Sequence, residues 1–167
     1  ATACGNGALE IRGNKINAPG DDGAGNGIEV LSTHNVHIAS NYISFSQLHG
    51  IILEAVTGGT VSGNTAYRCG AIGAGSGISL GIVGSPVSDV RVVGNTVSSQ
   101  DLAGTNAAGL RGLYADLCTI ADNTFSSDSP CAITGSAEVT GNNFGGSLTL
   151  GLGGDSSGSA VFSDNRM

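Results

Sequence analysis

The chain has 167 residues and a formal charge of −7, from Lys+Arg 6 against Asp+Glu 13, and only 11% of it is charged, against roughly 25% in ordinary soluble domains. Gly 29, Ser 20 and Asn 13 fill over a third of it, aromatics are 4% and Trp is absent. This composition excludes a long-helix or coiled-coil protein, and 40% apolar content argues against disorder; six scattered cations make no stripe for nucleic acid, and no apolar run is long enough to span a membrane.

One domain, 1–167, is expected at this length. The chain begins Ala1-Thr2-Ala3 with neither an initiator Met nor a charged-then-apolar leader. The mature form of an exported protein, or a segment of a longer one, would read this way. Further on, one pattern recurs: apolar-x-apolar-x-(Gly/Ser/Asp)-Asn-x-apolar. It opens as Leu9-Glu10-Ile11-Arg12-Gly13-Asn14-Lys15-Ile16 and returns at 36–43, weakly at 59–66, and at 90–97, 118–125, 137–144 and 160–167. The steps from Asn to Asn are 27, 23, 31, 28, 19 and 23 residues. A second motif lies between: Gly27-Ile28-Glu29-Val30, Gly50-Ile51-Ile52-Leu53, Gly77-Ile78-Ser79-Leu80 and Gly109-Leu110, degenerating to Ala132-Ile133 and Leu148-Thr149-Leu150.

Each repeat of about 25 residues thus holds three short period-2 strands without a helical crossover. Such coils bury their apolar positions by stacking. The predicted fold is all-β, a right-handed single-stranded parallel β-helix of about six to seven coils with three strands per coil. The Asn is expected to take the left-handed conformation at a tight corner after Gly and, one rung of about 4.8 Å apart, to form a side-chain ladder. Inward positions are Leu9, Ile11 and Ile16; Val36, Ile38 and Ile43; Val90, Val92 and Val97; Cys118, Ile120 and Phe125.

Nearly the whole chain resembles the repeats of the pectin-lyase-like superfamily, which includes pectate lyases, polygalacturonases, alginate epimerases and phage tailspikes. The resemblance implies that the Gly-Ile-x-Val strand is the first of each coil and that the Asn turn joins the second to the third. It also implies a polysaccharide partner in a groove along the outer face of the first strand, outside the cell or on a virion surface. The Asp21-Asp22 pair and His49-Gly50 resemble polygalacturonase motifs, but Leu48 stands in place of a Gly, the Asp pair lies in a loop and no Arg-Ile-Lys follows; that catalysis is not carried over.

On the first face the outward residues are Glu29, Ile52, Ser79, Arg111, Thr134 and Thr149, with Glu54 just beyond Leu53. One rung and two strand steps separate Glu29 from Glu54, roughly 8 Å. Inverting glycosidases hold their two carboxylates about 6.5–9.5 Å apart to admit a water. Glu29, Glu54 and His49 are therefore the candidate catalytic residues, with Ser79, Arg111, Tyr114, Asp116 and His34 as candidate substrate contacts; exposed charges that merely keep a solenoid soluble are the competing reading. Arg111, with Asp101 and Asp116 in loops, suggests a lyase as the other possible chemistry, while Tyr67 and Tyr114, placed in or near loops, could stack on a sugar ring. The whole alternative is a non-enzymatic structural or adhesive solenoid.

No metal or cofactor is expected. The loop 19–23 lacks the alternating Asp spacing of a calcium site, and the cysteines Cys4, Cys69, Cys118 and Cys131 form no CxxC. Cys118 belongs to the core, and the pairing of the other three stays open, two rungs being roughly 10 Å apart and beyond disulfide reach. The final rung stops on an inward position without a cap, so a segment of a longer protein, a homo-oligomer (a trimer) or an end-to-end filament is expected.

Overall fold

A computed structural model describes residues 8–17, 25–70, 75–99, 108–126, 131–145, 148–151 and 160–167. In chain order its strands are β1 (Leu9–Arg12), β2 (Lys15–Asn17), β3 (Ile28–Ala39), β4 (Tyr42–Ser44), β5 (His49–Ser62), β6 (Thr65–Cys69), β7 (Ser76–Leu80) and β8 (Val87–Val93). They continue with β9 (Thr96–Ser99), β10 (Ala108–Ala121), β11 (Thr124–Phe125), β12 (Cys131–Thr140), β13 (Asn143–Phe144), β14 (Leu148–Gly151) and β15 (Ala160–Ser163). Every ladder between these strands is parallel, and each strand pairs with its copy one coil on. The first face is the column β3-β5-β7-β10-β12-β14; the second is β1-β3-β5-β8-β10-β12-β15; the third is β2-β4-β6-β9-β11-β13.

This is the solenoid that the repeat predicts, with two differences. Among the described residues, named strands cover all three faces in the coils β3–β4, β5–β6, β7–β9, β10–β11 and β12–β13, slightly fewer than six to seven, and β1–β2 and β14–β15 with the Asn143–Arg166 bridge belong to the coils before and after these. The first and second strands are also mostly not separate: β3, β5, β10 and β12 each cover both faces, whereas β7 and β8, divided by a loop carrying the Ile82–Ser85 bridge, and β14 and β15 are distinct strands. Single left-handed residues bend the continuous strand, Ser32 (φ 47°) aligning with Ala55 (φ 50°) and Asn35 (φ 53°) with Gly58, Asp89 and Leu117.

The Asn corner differs from its expected chemistry in one respect. The left-handed residue is the one before the Asn: Gly13, Ser40, Gly63, Gly94, Asp122, Gly141 and Asp164 all have φ between 55° and 66°. Gly carries no penalty there, and Asp and Ser can hydrogen-bond locally. The Asn is thereby freed to point inward, where Asn41, Asn64, Asn95, Asn123 and Asn142 are at most 2% exposed. Each Nδ2 donates to the next Asn Oδ1 at 2.9–3.0 Å, from Asn14 through to Asn165. The same Oδ1 accepts the backbone N–H of the preceding Asn, and Nδ2 also donates to a carbonyl of the coil behind, as Asn64 does to Ile38. A buried amide with all these groups paired escapes the desolvation penalty of an unpartnered one.

The Gly of the Gly-Ile-x-Val motif has another cause. Added Cβ atoms at Gly27 and Gly50 would stand 2.6 Å from the carbonyl oxygens of Gly50 and Gly77, and that at Gly77 would stand 2.1 Å from Val97 Cγ1. The third face closes onto the first at this corner, leaving no room for a side chain. Inside, Val36, Ile38, Ile43, Val90, Val92, Val97, Ile120 and Phe125 are buried as predicted, while Leu9, Ile11 and Ile16 are only partly covered. Cys69, Cys118 and Cys131 are buried. Burial pushes the Cys118 thiol up to about 11 and that of Cys131 to about 12, and raises Cys69 as well, so none is an activated nucleophile. Cys4, Asp21, Asp22 and Asp101 lie outside the described residues.

Candidate functional site

The outer column of the first face reads Glu29, Ile52, Ser79, Arg111, Ala132 and Thr149. Thr134 was expected in this column, but it aligns two residues on, with Gly151; the degenerate Ala132-Ile133 motif had hidden the register. Glu54 pairs with Leu31, so it stands one rung and two residues from Glu29, as the spacing implies.

Two residues in the middle of this face are unexpectedly sealed. Ile52 and Ser79 alternate with core residues and so point outward, yet they are 3% and 2% exposed, and Ile52 lies outside the apolar core cluster. Around them stand Glu29 (exposed), Glu54 (half-buried), His49 and Arg111 (both half-buried). Burial, and secondarily the Glu29 carboxylate, raises the proton affinity of Glu54; burial lowers that of Arg111.

His49 opens β5 at the corner, where Asn26, His49, Ser76 and Ala108 form their own column. The His49 N–H donates to Asn26 Oδ1 at 3.1 Å, Asn26 Nδ2 donates to Glu29 Oε2 at 3.1 Å, and His49 Nδ1 lies 2.8 Å from the Oγ of Ser76. Ser76 is fully buried. Burial first and then Arg111 lower the imidazole pKa from 6.5 to about 4, with Glu29 opposing. At neutral pH this ring is therefore an uncharged hydrogen-bonding group. Asn26 and Ser76 were not singled out from the sequence, although each immediately precedes the Gly of its motif, as His49 does.

The shift has a stability consequence. As pH falls, an unfolded His49 protonates near 6.5, whereas the folded one resists until about 4. Its contribution is complete above 6.5 and is lost between 6.5 and about 4; for a half-buried ring we expect about 1–2 kcal/mol. Glu54, with its raised proton affinity, works in the opposite direction and offsets part of this. Urea unfolding at pH 7.5 and 4.5 measures the difference, which shrinks in His49→Gln; an unchanged pH slope in that variant refutes the assignment.

His34 and Asp116 are not brought to this cluster: they are exposed and share a column with Thr57 and Ser88 on the second face, beyond the bend at Ser32 and Ala55, and lie three rungs apart. Tyr114 belongs to β10 and Tyr67 to β6 rather than to loops. The Tyr114 side chain is outside the described residues. Among the described residues no group of three or more His, Cys, Asp or Glu could hold a metal ion, and no helix is long and apolar enough to cross a membrane.

The right-handed β-helix region family model matches residues 2–166, nearly the entire chain. The chain belongs to this family. Parallel coils, Asn corners and a Gly-Ile-x-Val first strand are consistent with the pectin-lyase-like superfamily. No curated protein and no solved structure gives a significant match.

Proposed function

We propose that this β-helix binds a polysaccharide along the outer first-strand face, outside the cell or on a virion surface, and hydrolyses it with inversion. The supporting observation is the carboxyl pair on adjacent rungs, where Glu29 helps keep the proton on Glu54 beside the sealed Ile52 and Ser79. A carboxyl that holds its proton suits a general acid, and its neighbour, as carboxylate, suits a base. Glu54 protonates the glycosidic oxygen as the bond to the anomeric carbon breaks. Glu29 takes a proton from the water that attacks that carbon from the opposite side. His49, uncharged, positions sugar hydroxyls, and Asn26 orients Glu29 through its 3.1 Å bond.

The test is reducing-end release from a panel of bacterial and plant polysaccharides. Glu54→Gln and Glu29→Gln each lower turnover about 10²–10⁴-fold, and the first-formed product has the inverted anomer by NMR. Unchanged turnover in either variant eliminates the pair. The rival, a structural or adhesive solenoid without chemistry, draws on the unbroken Asn ladder that stiffens every coil; binding without turnover in the native protein would favour it.

A further inference from the structure

Aromatic residues are scarce here, Tyr 3 and Phe 4 with no Trp, yet three of them meet on the third face. Tyr42, Phe45 and Tyr67 are 40%, 39% and 39% exposed. Phe45 stands edge-on to Tyr67 with ring centroids 5.7 Å apart, and the Arg68 guanidinium lies 5.7 Å from the Tyr67 centroid. Tyr42 pairs with Thr65 and Ser44 with Tyr67, so the two tyrosines are one rung and two residues apart, roughly 8 Å.

The charge of this face is opposite to that of the molecule. The strands β2, β4, β6, β9, β11 and β13 contain no Asp or Glu but carry Lys15 and Arg68, in a chain of net charge −7. Among the described residues the one ion pair recorded is Arg12 with Glu10, on the second face, and Arg68 instead stacks on Tyr67. Polar groups flank the rings in register: Tyr42 stands between Lys15 and Thr65, and Tyr67 between Ser98 and the buried Ser44, whose hydroxyl bonds Asn17.

We infer that Tyr42, Phe45, Tyr67 and Arg68 form a second, non-catalytic glycan site on the third face, selective for an acidic oligosaccharide. The chemistry of the ligand follows from the patch. A sugar ring has apolar C–H faces that cover exposed aromatic rings, and hydroxyls that pair with Thr, Ser and Asn. A uronate adds a carboxylate, which a stacked guanidinium holds with two parallel hydrogen bonds. Nucleic acid would need more cations than these two. A protein partner would favour a continuous apolar patch over rings flanked by polar groups. The site does not depend on Glu29 and Glu54, which lie on another face.

Tyrosine fluorescence reads the site directly, because two of the three tyrosines belong to it and no Trp masks them. The whole chain is titrated with a glucuronate-containing tetrasaccharide and with the same tetrasaccharide carrying methyl-esterified carboxyls. We expect a saturable change, with the acid form bound more tightly. Tyr67→Ala weakens it at least tenfold, Arg68→Gln removes the preference for the acid form, and Glu138→Gln, at an exposed second-face position, leaves both unchanged. Tyr42→Ser and Arg68→Gln, at exposed positions, carry the test should Tyr67→Ala not fold. Three results overturn the inference: no saturable change at millimolar ligand, binding lost in Glu29→Gln but kept in the third-face variants, or concentration-dependent self-association in sedimentation that Tyr67→Ala abolishes. The second places the glycan on the first face alone, and the third makes the patch an interface between copies.

Discussion

Replacing Asn95 by Ala is expected to destabilise the protein by about 3–5 kcal/mol, a large part of the roughly 5–15 kcal/mol available to a typical domain. Asn95 Oδ1 accepts from both the backbone N–H and the Nδ2 of Asn64, at 2.9 and 3.0 Å. Its own Nδ2 donates to Asn123 Oδ1 and to the carbonyls of Val61 and Val93. Asn64 is 1% exposed, so water cannot replace the lost acceptor. Two buried N–H groups of Asn64 and the carbonyls of Val61 and Val93 would each lose a partner at once, although the Asn64 Nδ2 keeps its bond to Ile38. Asn14, at the end of the ladder, provides the control: it is exposed, and among the described residues its side chain only donates, to Asn41 Oδ1 and to the Arg12 carbonyl. Asn14→Ala is expected to cost less than about 1 kcal/mol. Urea midpoints of the two variants measure the difference, and equal losses would show that the ladder contributes little to stability.

Gly50→Ala is the second large effect, about 2–3 kcal/mol by overpacking. The added Cβ would meet the Gly77 carbonyl oxygen at 2.6 Å, with Ala66 Cβ and Cys69 Sγ each at 3.1 Å. The carbonyl belongs to the ladder between coils and cannot move without disturbing β7. Gly63 is the contrasting case. Its φ is +59°, and nothing lies within 3.9 Å of an added Cβ. Ser40, Asp122 and Asp164 occupy the equivalent corner without difficulty. Gly63→Ala should therefore lower stability by only about 1 kcal/mol. Thermal denaturation of the two variants tests the distinction: a Gly50→Ala protein as stable as Gly63→Ala would mean that the corner opens to admit a methyl group.

The coil architecture was legible because period-2 alternation and the recurring Asn are local signals, and both survive folding unchanged. Ile38, Ile43, Val92 and Ile120 are core residues for the reason their spacing indicates. What the pattern conceals is what happens at corners. It gave the left-handed conformation to Asn, whereas the preceding residue adopts it, because sequence alone does not separate the residue that turns from the residue that fills the turn. The same blindness put His34 and Asp116 in loops, as contacts of the first face: single φ values near 50°, as at Ser32, carry the strand on to another face instead. The Glu29 and Glu54 register was readable, since it depends only on counting along strands. The burial of Ile52 and Ser79 was not, because alternation reports which side a residue points to and not what covers that side. The third-face patch escaped for a similar reason. Tyr67 was expected in or near a loop and Arg68 was not singled out, and only pairing with β4 and β9 brings them beside Phe45 and Tyr42.

The Asn column also has a direction. Every Nδ2 points the same way along the axis, from Asn14 toward Asn165, so the amide dipoles add head to tail. Each coil contributes one acceptor to the coil behind it and one donor to the coil ahead, whatever the number of residues it uses for the rest of its circuit. The chain spends between 19 and 31 residues per circuit and keeps the same linkage. A whole circuit is thus an interchangeable module: one can be gained or lost and the dipole chain closes again, whereas a shift of a single position breaks it. Rods of this kind can vary in length over evolutionary time by complete layers, while loops on their flanks diversify independently.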